Sequence, residues 1–247
     1  GLLVATMGAS NVLWIDAASF AISALIFLAF VPAIASQMTS KSRYIDEVLD
    51  GLRFIRRDQM LWTFVLLAAI LNFVGAPLFS VVLPVYVKET YDSPRALGFM
   101  IAGFGAGAIA GALAYGSRGH RYSRWALMIG LLAIASAAFS VMVLLPALVL
   151  AIAVLAMVGI ANGVVNPIVS TILQERTPSD LRGRVFGTVS ATAMVAAPAG
   201  MLLAGAALEA TGIRVILGTI AAAFVAVTVV FGVQPSLREM DRAPEVR

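Results

Sequence analysis

The chain contains no cysteine, and histidine occurs once, as His120. Disulfides and thiolate metal sites are thereby excluded, and one imidazole among scattered acids supplies no zinc-ligand spacing. Charge is scarce too. Asp, Glu, Lys and Arg make up 12% of the residues, against ~25% in a typical soluble domain. A chain so short of polar side chains cannot face water on all sides. It holds no nucleophile–base pair and no glycine-rich phosphate loop, so nothing points to an enzyme, a metal or a cofactor. The net charge of +4 does not describe a nucleic-acid surface. Its basic residues sit in short segments between apolar runs, where membrane topology accounts for them.

What fills the chain instead is hydrophobic: 61% of residues, with a mean hydropathy of +0.97. A helix needs ~20 apolar residues to cross the hydrocarbon core. Seven runs meet that length: Val12–Ile34, Trp62–Val87, Leu97–Tyr115, Ala126–Leu145, Leu148–Thr171, Phe186–Leu208 and Val215–Val233. Gly1–Gly8 reads as the tail of an earlier span, which makes the chain an expected N-terminal truncation. The alternation of barrel strands is absent, and open sheets leave backbone groups unpaired in lipid. The fold class is therefore an all-α integral membrane bundle.

Orientation follows from the basic residues. Of the 17 Lys and Arg residues, all but Lys88, Arg95 and Arg214 fall on one side of the alternating spans. The positive-inside rule places that side, and the C-terminal tail, in the cytoplasm of a plasma (inner) membrane protein. Trp14, Trp62, Trp125, Tyr86, Tyr91 and Tyr115 fall at run ends, as an interfacial belt requires. The segments divide as 1–35 (end of one span and the next), 36–60 (a cytoplasmic connector), 61–233 (a six-helix half) and 234–247 (a tail). Within the connector, Ile45, Val48, Leu49 and Leu52 recur at helical spacing among Asp46, Glu47, Asp50 and Arg53. That pattern predicts an amphipathic helix, lying on the membrane or on the bundle.

Three sets of residues inside the spans carry the functional reading. Gly103, Gly107 and Gly111, with Gly159 and Gly163, form smooth helix faces suited to close packing, and equally to sliding during a conformational cycle. Asn72, Asn162 and Asn166 are amides in an apolar setting, where they need either an interhelical partner or a wet cavity. As a cavity they would line a substrate site together with Phe73, Phe79 and Met194. Pro77, Pro84, Pro167 and Pro198 predict kinks or interruptions. Acids are nearly absent from the spans. Asp16 and Glu209 lie towards run ends, so a titratable carboxylate deep in a cavity is not evident.

Two stretches go beyond composition. They are Gly159-Ile-Ala-Asn162-Gly163-Val-Val-Asn166-Pro167 and Gln174-Glu-Arg-Thr-Pro178-Ser-Asp-Leu181-Arg182-Gly183-Arg184-Val185-Phe186-Gly187. Together they resemble the tenth span and following cytoplasmic loop of major facilitator superfamily exporters, in the branch holding enterobactin exporters and macrolide efflux permeases. Trp14-Ile-Asp16-Ala-Ala-Ser19-Phe20 resembles that branch's sixth span, and Leu52-Arg53-Phe54 with Arg57-Asp58 its entry to the seventh. The resemblance implies spans six to twelve of twelve. It further implies proton-coupled export of a drug, macrolide or siderophore by alternating access. The implied partners are the small-molecule substrate, protons, the lipid bilayer and a missing N-terminal half that carries the coupling acid. Arg121, Arg124, Asp180, Arg182, Gly183 and Arg184 are implied as a cytoplasmic gate. One departure stands out: His120 occupies the position where the family's loop carries an Asp that helps latch this side. The competing readings are a non-transporting scaffold or sensor, or a subunit of a membrane complex.

The topology is directly testable, since this chain brings no cysteine of its own. In whole cells, an impermeant maleimide is expected to label Glu89→Cys from outside and to leave Ser179→Cys unlabelled until the membrane is opened. The reverse pattern overturns the orientation.

Overall fold

The structure is a computed structural model that describes residues 7–30 and 41–241; for Ala9, residues 41–48 and His120 it describes the backbone only. Contacts divide the chain into two units, Gly1–Ile45 and Asp46–Arg247. In the first, α1 (Ala9–Phe30) is strongly apolar with no distinct polar face, and all its described side chains but that of Val12 are exposed. Of the expected earlier span, Gly1–Gly8, only Met7 and Gly8 lie within the described residues.

The connector forms a helix, α2 (Lys41–Arg57), as its spacing predicts. Its later turns pack on the bundle. Ile55 is completely buried with Leu61, Val65, Leu173 and Val185, while Arg53, Arg56 and Arg57 are exposed. The side chains of Ile45, Asp46, Glu47 and Val48 lie outside the described residues. Asp58 then ends α2 and starts α3 (Gln59–Pro77), its carboxylate accepting from the N–H groups of Met60 (2.8 Å) and Leu61 (3.2 Å). Those are two of the four donors that a helix start leaves unpaired.

Pro77 has no N–H to give the Phe73 carbonyl, and Pro84 none for that of Ser80, so the α-helical ladder cannot run unbroken between them. The chain widens into a π-helical turn at Leu78–Val82 and resumes as α4 (Leu83–Tyr91). The whole element, Gln59–Tyr91, is 33 residues long. It is followed by α5 (Pro94–Arg118), α6 (Arg124–Ser140, with a tight extension Val141–Leu144), α7 (Leu148–Arg176), α8 (Arg182–Thr211), α9 (Ile213–Val233) and the short α10 (Pro235–Arg238). Of the kinks or interruptions expected at Pro167 and Pro198, the interruption does not occur, since both lie inside the continuous helices α7 and α8. A single missing bond leaves the flanking ladder intact. Seven described helices are long and apolar enough to cross a membrane.

In lipid, apolar side chains gain little by leaving hydrocarbon for protein, so helices associate through close packing and polar contacts. Packing is most extensive between α5 and α7. There the glycines bring backbone to backbone. A Cβ on Gly107 would stand 2.1 Å from the Ala156 carbonyl oxygen, and one on Gly111 would stand 2.3 Å from that of Ile160. The contact is reciprocal, since a Cβ on Gly159 or Gly163 would meet the carbonyl oxygens of Phe104 and Ala108, each at 2.1 Å. Gly103 presses on Ile152, where an added carbon would reach the side chain at 2.8 Å. A second seam joins α3 to α8, where Gly200 lies on the Phe73 carbonyl that Pro77 leaves without its helical donor; a Cβ there would be 2.0 Å from that oxygen.

Polar contacts fasten the remaining helices. Ser136 on α6 and Thr228 on α9 share a buried hydrogen bond of 3.0 Å. At the end away from most of the basic residues, Tyr91 donates to the Pro146 carbonyl between α6 and α7 and accepts from the Tyr86 hydroxyl at 2.8 Å.

Gly107→Ala is expected to destabilise the bundle by about 1–3 kcal/mol, because two backbones must separate to admit the methyl group. Gly105→Ala faces open space on the same helix and is expected to be neutral. Thermal melts of the two variants in detergent compare them directly.

Candidate functional site

The helices line an open-sided cavity of about 530 Å³, formed by residues near the middle of α3, α6 and α7. Its wall is mainly aliphatic and aromatic, with Phe64, Phe79, Phe104 and Phe224 among the larger side chains. Its side-chain polarity comes from Asn72 on α3, Asn162 and Asn166 on α7, and Ser136 on α6. Among the described residues, no Asp, Glu, Lys, Arg or His lines it.

Helix geometry explains this assembly. Asn162 and Asn166 are one turn apart, so both side chains leave the same face of α7. The packing of α7 on α5 is made by Gly159 and Gly163, which places Phe104 of α5 beside that face. Phe79 lies in the π-helical turn and meets Phe104 edge to face, ring centres 4.7 Å apart. The wider turn thus brings an aromatic ring against the cavity wall.

Of the residues expected to line a substrate site, Asn72, Phe79, Asn162 and Asn166 share this cavity, whereas Phe73 and Met194 lie outside its wall. Phe73 follows Asn72 by one residue and so points about 100° away around α3, on the side where its carbonyl meets α8. Met194 belongs to α8, which contributes nothing to the lining, and is 75% exposed. Ser136, Phe104 and Phe224 join the wall without any sequence signal that singles them out, since each reads as an ordinary residue of an apolar run. Asp16 is on α1 and Glu209 is exposed in the last turns of α8.

The second cluster lies at the basic end. Arg124 opens α6 and grips Glu175 of α7 with two guanidinium nitrogens, at 2.6 and 3.0 Å. Beside it, Arg176 reaches the free oxygen of Asp58 at 3.1 Å, so one carboxylate both caps α3 and holds the end of α7. Arg184 of α8 stands 3.8 Å from Asp50 of α2, close to the point where Gly51 fits against the Arg184 carbonyl. Arg182 donates from Nε to the Thr177 carbonyl at 3.2 Å. Arg121, Asp180 and Gly183 are exposed, and an added carbon on Gly183 would meet nothing within 4 Å.

The C-terminal segment completes this end. Leu237 and Met240 are buried among Met60, Phe64 and Met128, and Arg238 stacks over Trp125, 5.6 Å from the ring centre. Asp241 accepts from the Arg124 N–H (2.7 Å) and from the Ser123 hydroxyl (2.5 Å), placing a negative charge at the positive start of α6. The side chain of His120 lies outside the described residues. A carboxylate does reach this loop, and it comes from the tail. Glu175, Asp58 and Asp241 were not singled out from the sequence as gate residues. An Asp directly before an apolar run is a readable N-cap signal for Asp58. The other two are paired only by the fold.

The sequence model of the Major Facilitator Superfamily matches residues 65–245. The chain belongs to the Major Facilitator Superfamily. Among its relatives, the multidrug efflux pump Tap of Mycobacterium tuberculosis is 31% identical over 248 residues, covering 99% of this chain and 59% of that protein. Tap of Mycolicibacterium fortuitum is 30% identical over 247 residues, covering 98% and 60%. The enterobactin exporter EntS of Escherichia coli is 28% identical over 205 residues, covering 83% and 49%. The chain thus spans about three fifths of the length of the Tap relatives. As a facilitator-family chain it has its two clusters in separate places: an uncharged cavity within the bundle, and an ion-paired network at the basic end.

Asp58→Ala removes a helix cap and leaves Arg176 without its partner, an expected loss of about 1–2 kcal/mol. Asp50→Ala breaks exposed pairs and is expected to cost at most about 1 kcal/mol. Melting temperatures in detergent rank the two, and equal shifts contradict the double role of Asp58.

Proposed function

We propose that this chain forms the C-terminal part of a secondary active transporter that exports small amphipathic molecules by alternating access, driven by proton antiport. The observation that carries the reading is the cavity. A space of about 530 Å³ walled by phenylalanines and three asparagines is large enough for a drug-sized molecule, with a few polar groups to orient it. Similarity to proteins named as a multidrug efflux pump and an enterobactin exporter supports export as the direction.

In this reading Asn72, Asn162 and Asn166 contact the substrate. The basic end faces the cytoplasm of the inner membrane, together with the C-terminal tail. Arg124, Arg182 and Arg184 then work at a cytoplasmic gate whose ion pairs tie α2, α3, α6, α7 and α8 together when this side is closed. Among the described residues, the cavity wall has no titratable side chain. The group that exchanges protons accordingly belongs to a complementary N-terminal half, which would face the same cavity.

The test uses the complete encoded protein in everted membrane vesicles, with a fluorescent amphipathic dye supplied from outside and its uptake measured. Protonophore-sensitive transport is expected, and Asn162→Ala and Asn166→Ala are each expected to raise KM several-fold or to change the range of dyes carried. Transport that the substitutions leave unchanged removes the cavity from the reading. Absence of any energy-dependent transport, across dyes of different structure, favours a scaffold instead.

A further inference from the structure

The segment after the last span packs like part of the bundle but is attached like a strap. The span α9 ends at Val233, Gln234 is extended, and Pro235 has no N–H with which to continue a helical ladder. One residue of non-helical backbone therefore joins the segment to its span. From there α10 lies across the opening turns of α3 and α6, where Leu237 and Met240 are buried with Met60, Phe64 and Met128. Phe64 also lines the cavity, so these side chains back the part of its wall nearest the basic end. Asp241 fastens the far end of the segment, accepting from the Arg124 N–H and the Ser123 hydroxyl at the start of α6.

The fit has open seams. The indole N–H of Trp125 and the hydroxyl of Ser236 are buried with no hydrogen-bond partner among the described residues. Both belong to this contact, since Arg238 stacks over Trp125 and Ser236 precedes the buried Leu237. A buried polar group left unpaired offsets part of what the apolar contacts contribute. Asp241 and Ser123 are exposed, so water competes directly for the bonds between them. An apolar anchor, two unpaired groups inside and a solvated fastening together describe a contact that can be left and regained.

We propose that residues 234–241 form a clasp that leaves α3 and α6 each time the basic end opens, and docks again as it closes. Docked, it ties the opening turns of α3 and α6 together beside the cavity wall. Release frees those turns to separate and gives Trp125 and Ser236 access to water. The inference rests on the alternating-access reading above and assigns one moving part of its gate.

The absence of cysteine from this chain allows a reversible lock. The Ser123 Oγ lies 2.5 Å from a carboxylate oxygen of Asp241, so cysteines at the two positions are within disulfide reach while the clasp is docked. Ser123→Cys/Asp241→Cys is placed in the complete encoded protein, with any cysteine of the remaining chain replaced by serine. Oxidation with diamide is expected to form the cross-link and abolish protonophore-sensitive dye uptake into everted vesicles, and dithiothreitol to restore it. The single variants are expected to respond to neither reagent. A second measurement needs no transport: Ala68→Cys lines the cavity, and its labelling by an impermeant maleimide outside everted vesicles reports opening of the basic end. Adding Asp241→Ala is expected to raise that labelling rate about fivefold.

Full uptake by the cross-linked protein overturns the inference while export stands, since a segment tied in place would not need to move. Failure to cross-link overturns the docked arrangement from which the clasp is inferred. Uptake lost in the reduced double variant as well marks the contact as purely structural, and overturns it too. If the unmodified protein carries no dye, the export reading falls, and the labelling rate decides the clasp by itself: a rise in Asp241→Ala supports it, and an unchanged rate removes it.

Discussion

Everything in the bundle is positioned by the contact of α5 with α7, where two helices meet without side chains between them. Gly107 and Gly111 receive the carbonyls of Ala156 and Ile160, while Gly159 and Gly163 receive those of Phe104 and Ala108. Such a contact does not rely on expelling water, which is not available as a driving force within hydrocarbon. It relies on dispersion between backbones at close range, and weak Cα–H···O contacts suit that geometry. Because the fit is mutual, it sets both the separation and the rotation of the two helices. The rotation of α7 then decides which way Asn162 and Asn166 point, and that of α5 decides where Phe104 stands.

The other side of the cavity depends on a defect. Pro77 and Pro84 deny α3–α4 a continuous ladder, and the chain answers with one π-helical turn. The freed Phe73 carbonyl is covered by Gly200 on one face, while Phe79 within the turn reaches Phe104 on another. A proline-induced irregularity thus supplies both a helix seam and part of the cavity wall. Irregular backbone at membrane depth is tolerable where protein covers it or it borders a cavity, and here both conditions hold.

The basic end works by different physics. Its charges sit near the level where water and headgroups begin, so each pair contributes modestly, and their value lies in connection. Asp58 joins the start of α3 to the end of α7, Arg124–Glu175 joins α6 to α7, and Asp241 brings the tail to α6. A network of this form can be broken in steps, as the proposed gate requires.

Much of the molecule was legible in the sequence, because the bilayer imposes simple rules. Spans show as apolar runs of a set length, and glycines four residues apart announce a packing face. The asparagines were visible for the same reason, since an amide among aliphatic residues demands an explanation. What the sequence alone could not assign was the neighbour of each face. Phe73 and Met194 were expected at the cavity and lie outside it, because rotation about a helix axis is set by the helix it packs against. Ser136, Phe104 and Phe224 enter the wall through that same packing, and Glu175 and Asp241 find Arg124 across separations of 51 and 117 residues. Hydrophobicity is a property of one segment and can be read along it, whereas a cavity and an ion-pair network are properties of several segments at once. Only tertiary structure decides which side chains converge there.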